Sequence, residues 1–379
     1  MGSPIRLLSI GHSYVVALNR SILRELAKDK SFEVTIAAPK SFRGSLRTIA
    51  MEAEPEGSLL QMQGLDAYFT QKMHIFSYDH FQLRKLFLQD FDLVHAWEEP
   101  YIFAGYQVAR AAKRSETPYV FRTAQSLIKK YPYPFSYFEK NCFQWAKKWI
   151  AGGHLVRQAM IDKGWDGSKG EILTLAVDSS RFQPFDDLAK KQVQDQLGLG
   201  GPLMAYLGRL SEEKGLDLLM KVLTELKDQS WSFLFMGSGP YETKLNQWVH
   251  KEGLQGRVKI QLFSHDQIPS VLPGCDLLLC PSQSRPFWKE QFGRMVVEGF
   301  AAGVPVIASD SGEIPRVVGD AGVILPEAEP NAWKSEILKF LQQPRSFESY
   351  REKGLQRVSQ YTAKTIAEQY KNFYRSVLE

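Results

Sequence analysis

Short apolar runs bounded by turn residues alternate along the chain with longer amphipathic segments. The first of these, Ile5–Ile10, Val15–Asp29 and Phe32–Ala38, predict a strand, a helix and a second strand. The alternation continues with a helix over His80–Asp90, a strand at Leu93–Ala96, a helix over Ile102–Lys113 and a strand at Tyr119–Arg122. A helix over Phe138–Lys148 and strands at Trp149–Ala151 and Ile172–Val177 complete this half. Strands that are apolar throughout, separated by helices, predict a mostly parallel α/β sheet.

Between Asp178 and Leu188 the pattern lapses into a polar, Pro-punctuated stretch of the kind that joins domains. After a predicted helix over Leu188–Leu197, strands follow at Leu203–Leu207, Phe233–Met236, Val258–Phe263, Leu277–Cys280, Val304–Ala308 and Val323–Leu325. The organisation expected is a domain over 1–177, a linker over 178–187, a second domain over 188–355 and a C-terminal helix within 356–379 that returns to the first domain. That last segment is amphipathic, with Ile366, Tyr370, Phe373 and Tyr374 on its apolar side. Two α/β halves, each with a glycine at the end of its first strand, point to a cleft between them as the ligand site.

Composition narrows the classes. With 379 residues, 44% hydrophobic and 23% charged, the chain is long enough for two cores at ~150 residues per domain. Lys and Arg exceed Asp and Glu by 47 to 42, a net +5, and no dense basic tract marks a nucleic-acid footprint. Three cysteines without CxxC spacing argue against a disulfide framework or a zinc ribbon and fit a reducing, cytoplasmic setting. No basic and apolar leader opens the chain, and the longest apolar stretch, Met295 to Ala308, is broken by Glu298 and Pro305.

Several chemistries fail on their motifs. The first turn, Ile10-Gly11-His12-Ser13-Tyr14, lacks GxGxxG, and no Walker lysine, HExxH or GxSxG is present. The seven histidines have no metal-ligand spacing. Asp90-Phe91-Asp92 has the form of a metal-binding DxD but precedes a strand instead of following one.

Two stretches carry candidate chemistry. Gly208-Arg209-Leu210-Ser211-Glu212-Glu213-Lys214-Gly215 sets two cations around the turn after the second half's first strand, where such folds place ligands. Glu298 lies among Met, Val, Phe, Ala and Gly in a helical run, where an unpaired carboxylate is costly. Vicinal hydroxyls of a ribose, or a buried bridge to Arg or Lys, would satisfy it. Glu290 precedes Phe292-Gly293, where that helix starts, so free N–H groups beside it would suit a diphosphate; as an alternative, Glu290 is a surface cap.

The series GRLxxEKG, Pro281-Ser282, Glu290-x7-Glu298, AxGxPV at Ala301–Val306 and Ser309-x-x-Gly312 resembles the family-4 (group 1) retaining glycosyltransferases of the GT-B fold. The first half agrees more loosely, through Asp92-Leu93-Val94-His95 and the stretch from Ala176-Val177-Asp178 to Phe182-x-Pro184. The resemblance implies two Rossmann-like α/β/α domains facing each other across a deep cleft, with the second domain binding a nucleotide sugar. It implies that Arg209 and Lys214 hold the donor's diphosphate, that Glu290 contacts donor-sugar hydroxyls, and that Glu298 binds the ribose. Backbone N–H groups of Gln291, Phe292, Gly293 and Arg294 would join them, Gly11 would let the first loop approach the phosphates, and Gly237 and Phe263 would help frame the base.

The chain departs from its relatives where many show Thr-x-His, since it has Thr123-Ala124-Gln125. Gln125 would then position an acceptor hydroxyl, with His12 and His95 as alternatives for acceptor contact or as structural residues. The expected reaction transfers a hexose-type sugar, with retention and without a metal cofactor, from a UDP-sugar to a hydroxyl of a glycan, a lipid-linked saccharide or a small molecule. Cell-envelope or exopolysaccharide synthesis would be its setting. A GDP-mannose-dependent mannosyltransferase, a nucleotide-sugar epimerase and an inactive carbohydrate-binding module are the alternatives. Lys129 to Trp149 holds five lysines and eight aromatic residues against one acid, Glu139. Such a mixture suits either peripheral contact with an anionic bilayer at the inner face of the membrane or a helix packing its rings on the sheet.

Overall fold

A computed structural model describes residues 3–43 and 48–379. The chain divides into two units, Met1–Ala176 with Ala363–Glu379, and Val177–Thr362.

In the first unit, β1 (Ile5–Ile10) leads through α1 (Ser21–Leu26) to β2 (Phe32–Pro39) and β3 (Gln61–Leu65). The chain continues through α2 (His80–Leu86), β4 (Leu93–Ala96), α3 (Phe103–Arg114) and β5 (Tyr119–Thr123). It then runs through α4 (Phe135–Trp145), β6 (Lys148–Ala151), α5 (His154–Asp162) and β7 (Gly170–Ile172). The seven strands form one parallel sheet in the order β7-β6-β5-β4-β1-β2-β3. β4 and β5 are buried at every residue, which is why they read as mostly apolar runs, with His95, Arg122 and Thr123 as their buried polar residues. Strand order reverses direction between β1 and β4, and the loops that leave their C-terminal ends open a crevice there.

The second unit starts with α6 (Asp187–Leu197) and repeats the plan with β8 (Leu203–Leu207), α7 (Leu216–Glu225), β9 (Ser232–Met236), α8 (Glu242–Lys251) and β10 (Val258–Gln261). It continues with β11 (Leu277–Cys280), α9 (Arg294–Ala301), β12 (Val306–Ser309), α10 (Ile314–Val318) and β13 (Val323–Leu325). These six strands are parallel in the order β10-β9-β8-β11-β12-β13, with the reversal between β8 and β11.

Three sequence expectations are corrected. The helix over Val15–Asp29 is two short turns and the six-residue α1, because the buried Arg20 guanidinium bonds the carbonyls of Tyr14, at 2.6 Å, and Val15. Those carbonyls are thereby diverted from a helical ladder. The strand over Ile172–Val177 ends at Ile172, and Val177 instead bridges to Thr362. Residues 178–187 are part of the second unit, where Arg181 bonds the carbonyl of His265 and Asp186 caps α6 through the N–H of Ala189.

The last helix, Ala363–Leu378, packs on α1 within the first unit. Ile366, Tyr370, Phe373 and Tyr374 are buried there, the four positions its periodicity marks as apolar. β3 and α5 carry no clear signal in the sequence: β3 is an edge strand with two polar Gln residues, and α5 begins on glycine with no capping side chain.

Candidate functional site

The C-terminal ends of β8 and β11 gather most of the charged residues singled out in the sequence. Gly215 begins α7 at φ +71°, and a Cβ there would lie 1.8 Å from the carbonyl oxygen of Pro281. Only glycine lets the loop after β8 approach the loop after β11 this closely. That approach brings Lys214 Nζ to 2.5 Å from Glu290 Oε2, with both side chains largely buried. Ser282 donates to the same oxygen at 3.1 Å, so Oε2 carries both contacts, and Lys214 also lies over the Trp288 ring at 4.7 Å. Glu290 is therefore a buried, paired carboxylate and not a surface cap. Its backbone is held from the other side by Gly312, at φ +61°, where a Cβ would meet the Glu290 carbonyl at 2.0 Å.

Arg209 contrasts with Lys214. Its carbonyl accepts the Tyr206 hydroxyl at 2.7 Å, while its guanidinium is exposed and pairs with no carboxylate among the described residues. Gly293, at φ +83°, starts α9 with no side-chain cap on the positive dipole end of the helix. Arg294 follows as the first residue of the helix, and Gln291 is exposed beside it. Phe292 turns inward against Tyr361, so only its backbone remains for a ligand.

Glu298, one turn into α9, bonds to no described side chain. Burial raises its carboxyl to about 7, against the opposing charges of Arg294 and Arg181. The expected Arg or Lys bridge is not formed, and the half-buried carboxylate has no ion-pair partner among the described residues. Gly237 ends β9 with its N–H on the carbonyl of Gln261, and half-buried Phe263 follows β10 at the same edge of the sheet.

The first unit carries different chemistry at its own crevice. His12 follows β1, and Glu98 follows β4. His12 Nδ1 lies 2.6 Å from Glu98 Oε2, while the His12 N–H and the Tyr78 hydroxyl each donate to Glu98 Oε1 at 2.6 Å. Burial lowers the imidazole's proton affinity, but the charge and hydrogen bond of Glu98, with Glu99 behind it, outweigh that and raise its pKa. The ring keeps a quarter of its surface exposed. Gly11 is required locally, because a Cβ would come within 2.8 Å of the Trp97 Cβ.

Two acceptor-side candidates are buried, and His95 takes its structural alternative. His95 is fully buried, its Nδ1 3.3 Å from the Ser9 hydroxyl and 2.9 Å from the Tyr374 hydroxyl, and burial with Arg122 nearby lowers its pKa to about 3. It is a neutral core residue that holds the last helix. Gln125 is buried as well, its amide between Glu99 and Glu139, both at 3.4 Å, and its oxygen accepting the Tyr131 hydroxyl at 3.0 Å. Glu98 and Glu99 are the functional candidates the sequence reading missed. Their one signal is two adjacent acids directly after an apolar strand.

Asp90 and Asp92 do not form a metal pair, since both bind Arg6, Asp92 through its N–H at 2.7 Å and Asp90 through its guanidinium at 3.7 Å. Among the described residues no helix is long and apolar enough to cross a membrane.

The family model for glycosyl transferases group 1 matches residues 189–357. The likeness to the group 1 glycosyl transferases therefore lies in the second unit. The 2-deoxystreptamine glucosyltransferase of Streptomyces kanamyceticus is 34% identical over 39% of this chain and 38% of its own length. A GDP-mannose-dependent α-(1-6)-phosphatidylinositol monomannoside mannosyltransferase of Mycolicibacterium smegmatis is 29% identical over 46% of this chain and 48% of its own. The chain spans about half the length of the curated relatives it matches. Among solved structures, Anabaena HepE in complex with UDP and glucose has a TM-score of 0.77 at 18% identity, covering 98% of this chain and all of that one. The fold of this chain is GT-B, two Rossmann-like α/β units.

Proposed function

We propose that this chain is a retaining glycosyltransferase of glycan biosynthesis that moves a hexose-type sugar from a UDP-sugar to a hydroxyl of a glycan or lipid-linked acceptor. The observation that carries the reading is the group around β8 and β11: an unpaired Arg209, a Lys214–Glu290 pair and an uncapped helix N-terminus at the sheet's reversal point. An unpaired guanidinium beside a helix N-terminus without a side-chain cap suits the diphosphate of a leaving nucleotide, with Lys214 shared between that anion and Glu290.

In this reading Arg209, Lys214 and the start of α9 stabilise the charge that grows on the diphosphate, with no metal required. Glu290 holds the donor sugar through Oε1, since Oε2 is already engaged. Glu298 accepts the two ribose hydroxyls that its surroundings fail to provide. The acceptor hydroxyl oxygen bonds to the anomeric carbon as the bond from that carbon to the phosphate oxygen breaks. The electron pair leaves with UDP, and the acceptor's proton passes to the departing phosphate. His12, oriented by Glu98, contacts the acceptor. UDP is favoured by the nucleotide named for the HepE complex, and GDP-mannose is the second reading, favoured by the mycobacterial relative.

Thermal-shift binding of UDP, GDP and ADP with and without EDTA tests the reading, because a ligand that binds only the folded chain raises its melting temperature. A shift with UDP that EDTA leaves intact is expected, followed by a product whose anomeric configuration matches the donor's. A chain that shifts with no nucleotide would overturn the assignment.

A further inference from the structure

A groove of about 530 Å³ runs between α2 and α3 in the first unit, away from the strand ends that carry the candidate site. Its wall is apolar, formed by Leu83, Phe87, Phe103 and Tyr106. Three guanidinium groups, Arg84, Arg110 and Arg114, also line it, and no Asp or Glu does. None of the three pairs with a carboxylate among the described residues. Along α2 and the turn beyond it, Phe81, Arg84, Lys85 and Leu88 are spaced as one helical face. This is the outward face: Phe81 is 79% and Leu88 76% exposed, while Leu83 and Leu86 are buried. Isolated exposed apolar residues are ordinary, but Leu88 lines this groove and Phe81 stands next to its lining residue His80, so that with the three arginines they form one amphipathic surface.

We propose that this groove docks the chain on an anionic bilayer, with lipid phosphates on Arg84, Arg110 and Arg114 and with Phe81 and Leu88 entering the interface. Guanidinium forks match phosphate oxygens, and their charge draws the surface to an anionic leaflet. A free phosphate would use the arginines but leave the apolar wall and both exposed side chains without a partner, which is why a bilayer is the fitting source. The site differs from the segment whose composition first pointed to a membrane. In 129–149, Phe138 stacks on Tyr106 and Phe143 on Trp165, so much of its aromatic content is spent on the core.

Flotation of the full chain with phosphatidylcholine vesicles, with and without phosphatidylglycerol, tests this in the absence of any nucleotide. Its outcome is therefore separate from that of the UDP shift. The chain is expected to float with the anionic vesicles only, and less as salt rises. Replacing Arg84, Arg110 and Arg114 together by Gln should lower the partition coefficient about tenfold or more. Phe81→Ser with Leu88→Ser should weaken the binding that survives salt. All five side chains are exposed, and an unchanged melting temperature and UDP shift would verify that each variant is folded. The proposal is overturned if the wild-type chain floats with neither composition, if it floats equally with both, or if the triple variant floats undiminished. It is also overturned if inorganic phosphate binds the groove while anionic vesicles do not.

Discussion

The two sheets reverse strand order in the same way, yet the loops that leave the two reversal points carry opposite electrostatics. After β1 and β4 stand carboxylates, Glu98 and Glu99, that raise the pKa of His12. After β8 and β11 stand an exposed guanidinium, an ion pair and a helix start without a cap. The same crevice therefore gathers proton-bearing groups in one unit and an exposed cation beside a helix start in the other. Topology fixes where a ligand can sit, and a handful of loop residues decide its charge.

The largest effect that would break this contrast is at Lys214. Lys214→Ala leaves Glu290 buried without its cation, and turnover of a UDP-sugar should fall about 10²–10³-fold in steady-state assays. An unchanged rate would remove the second unit's claim to the leaving group. Next comes the support of the first unit. Tyr374→Ala removes a fully buried ring that holds His95, and chemical denaturation should register a loss of about 3 kcal/mol. UDP affinity should be unaffected at temperatures where the variant is folded, because Tyr374 belongs to the first unit and the residues proposed to hold the diphosphate and ribose belong to the second.

Glu298→Gln sharpens the contrast in a pH series. The carboxyl sits at about 7 in the folded chain against an ordinary 4.5, so the folded state holds the proton more tightly. Stability present at low pH is then lost as pH rises from 4.5 through about 7, by at most about 3 kcal/mol. The melting temperature of the Gln variant should lack this decline, while its UDP affinity, measured by calorimetry near pH 8, should drop about tenfold. Glu98→Gln has the smallest effect. It should lower the His12 pKa, read in an NMR titration. In the wild type, stability from charged His12 is complete below 6.5 and is lost as pH rises through its raised value.

Much of the second site was legible because its residues are close in sequence and sit at a turn. Arg209 and Lys214 flank one loop, and Glu290 and Glu298 straddle one helix start, so strand–turn–helix periodicity already brings them to one edge of the sheet. The first site was legible only at His12. Gln125 and His95 looked available because each stands at a strand end, but the first is enclosed by Tyr131 and Glu139 and the second by the last helix.

The alternation of apolar runs and amphipathic segments determined two parallel α/β units, their order and the face of the last helix, since each depends on residues within a few positions of one another. Only the tertiary structure decided which charges are satisfied. Lys214 meets Glu290 across 76 positions, His12 meets Glu98 across 86, and Tyr374 meets His95 across 279. The free energy of a buried charge depends on what the fold brings within a few ångströms of it, and local pattern carries no record of partners that distant.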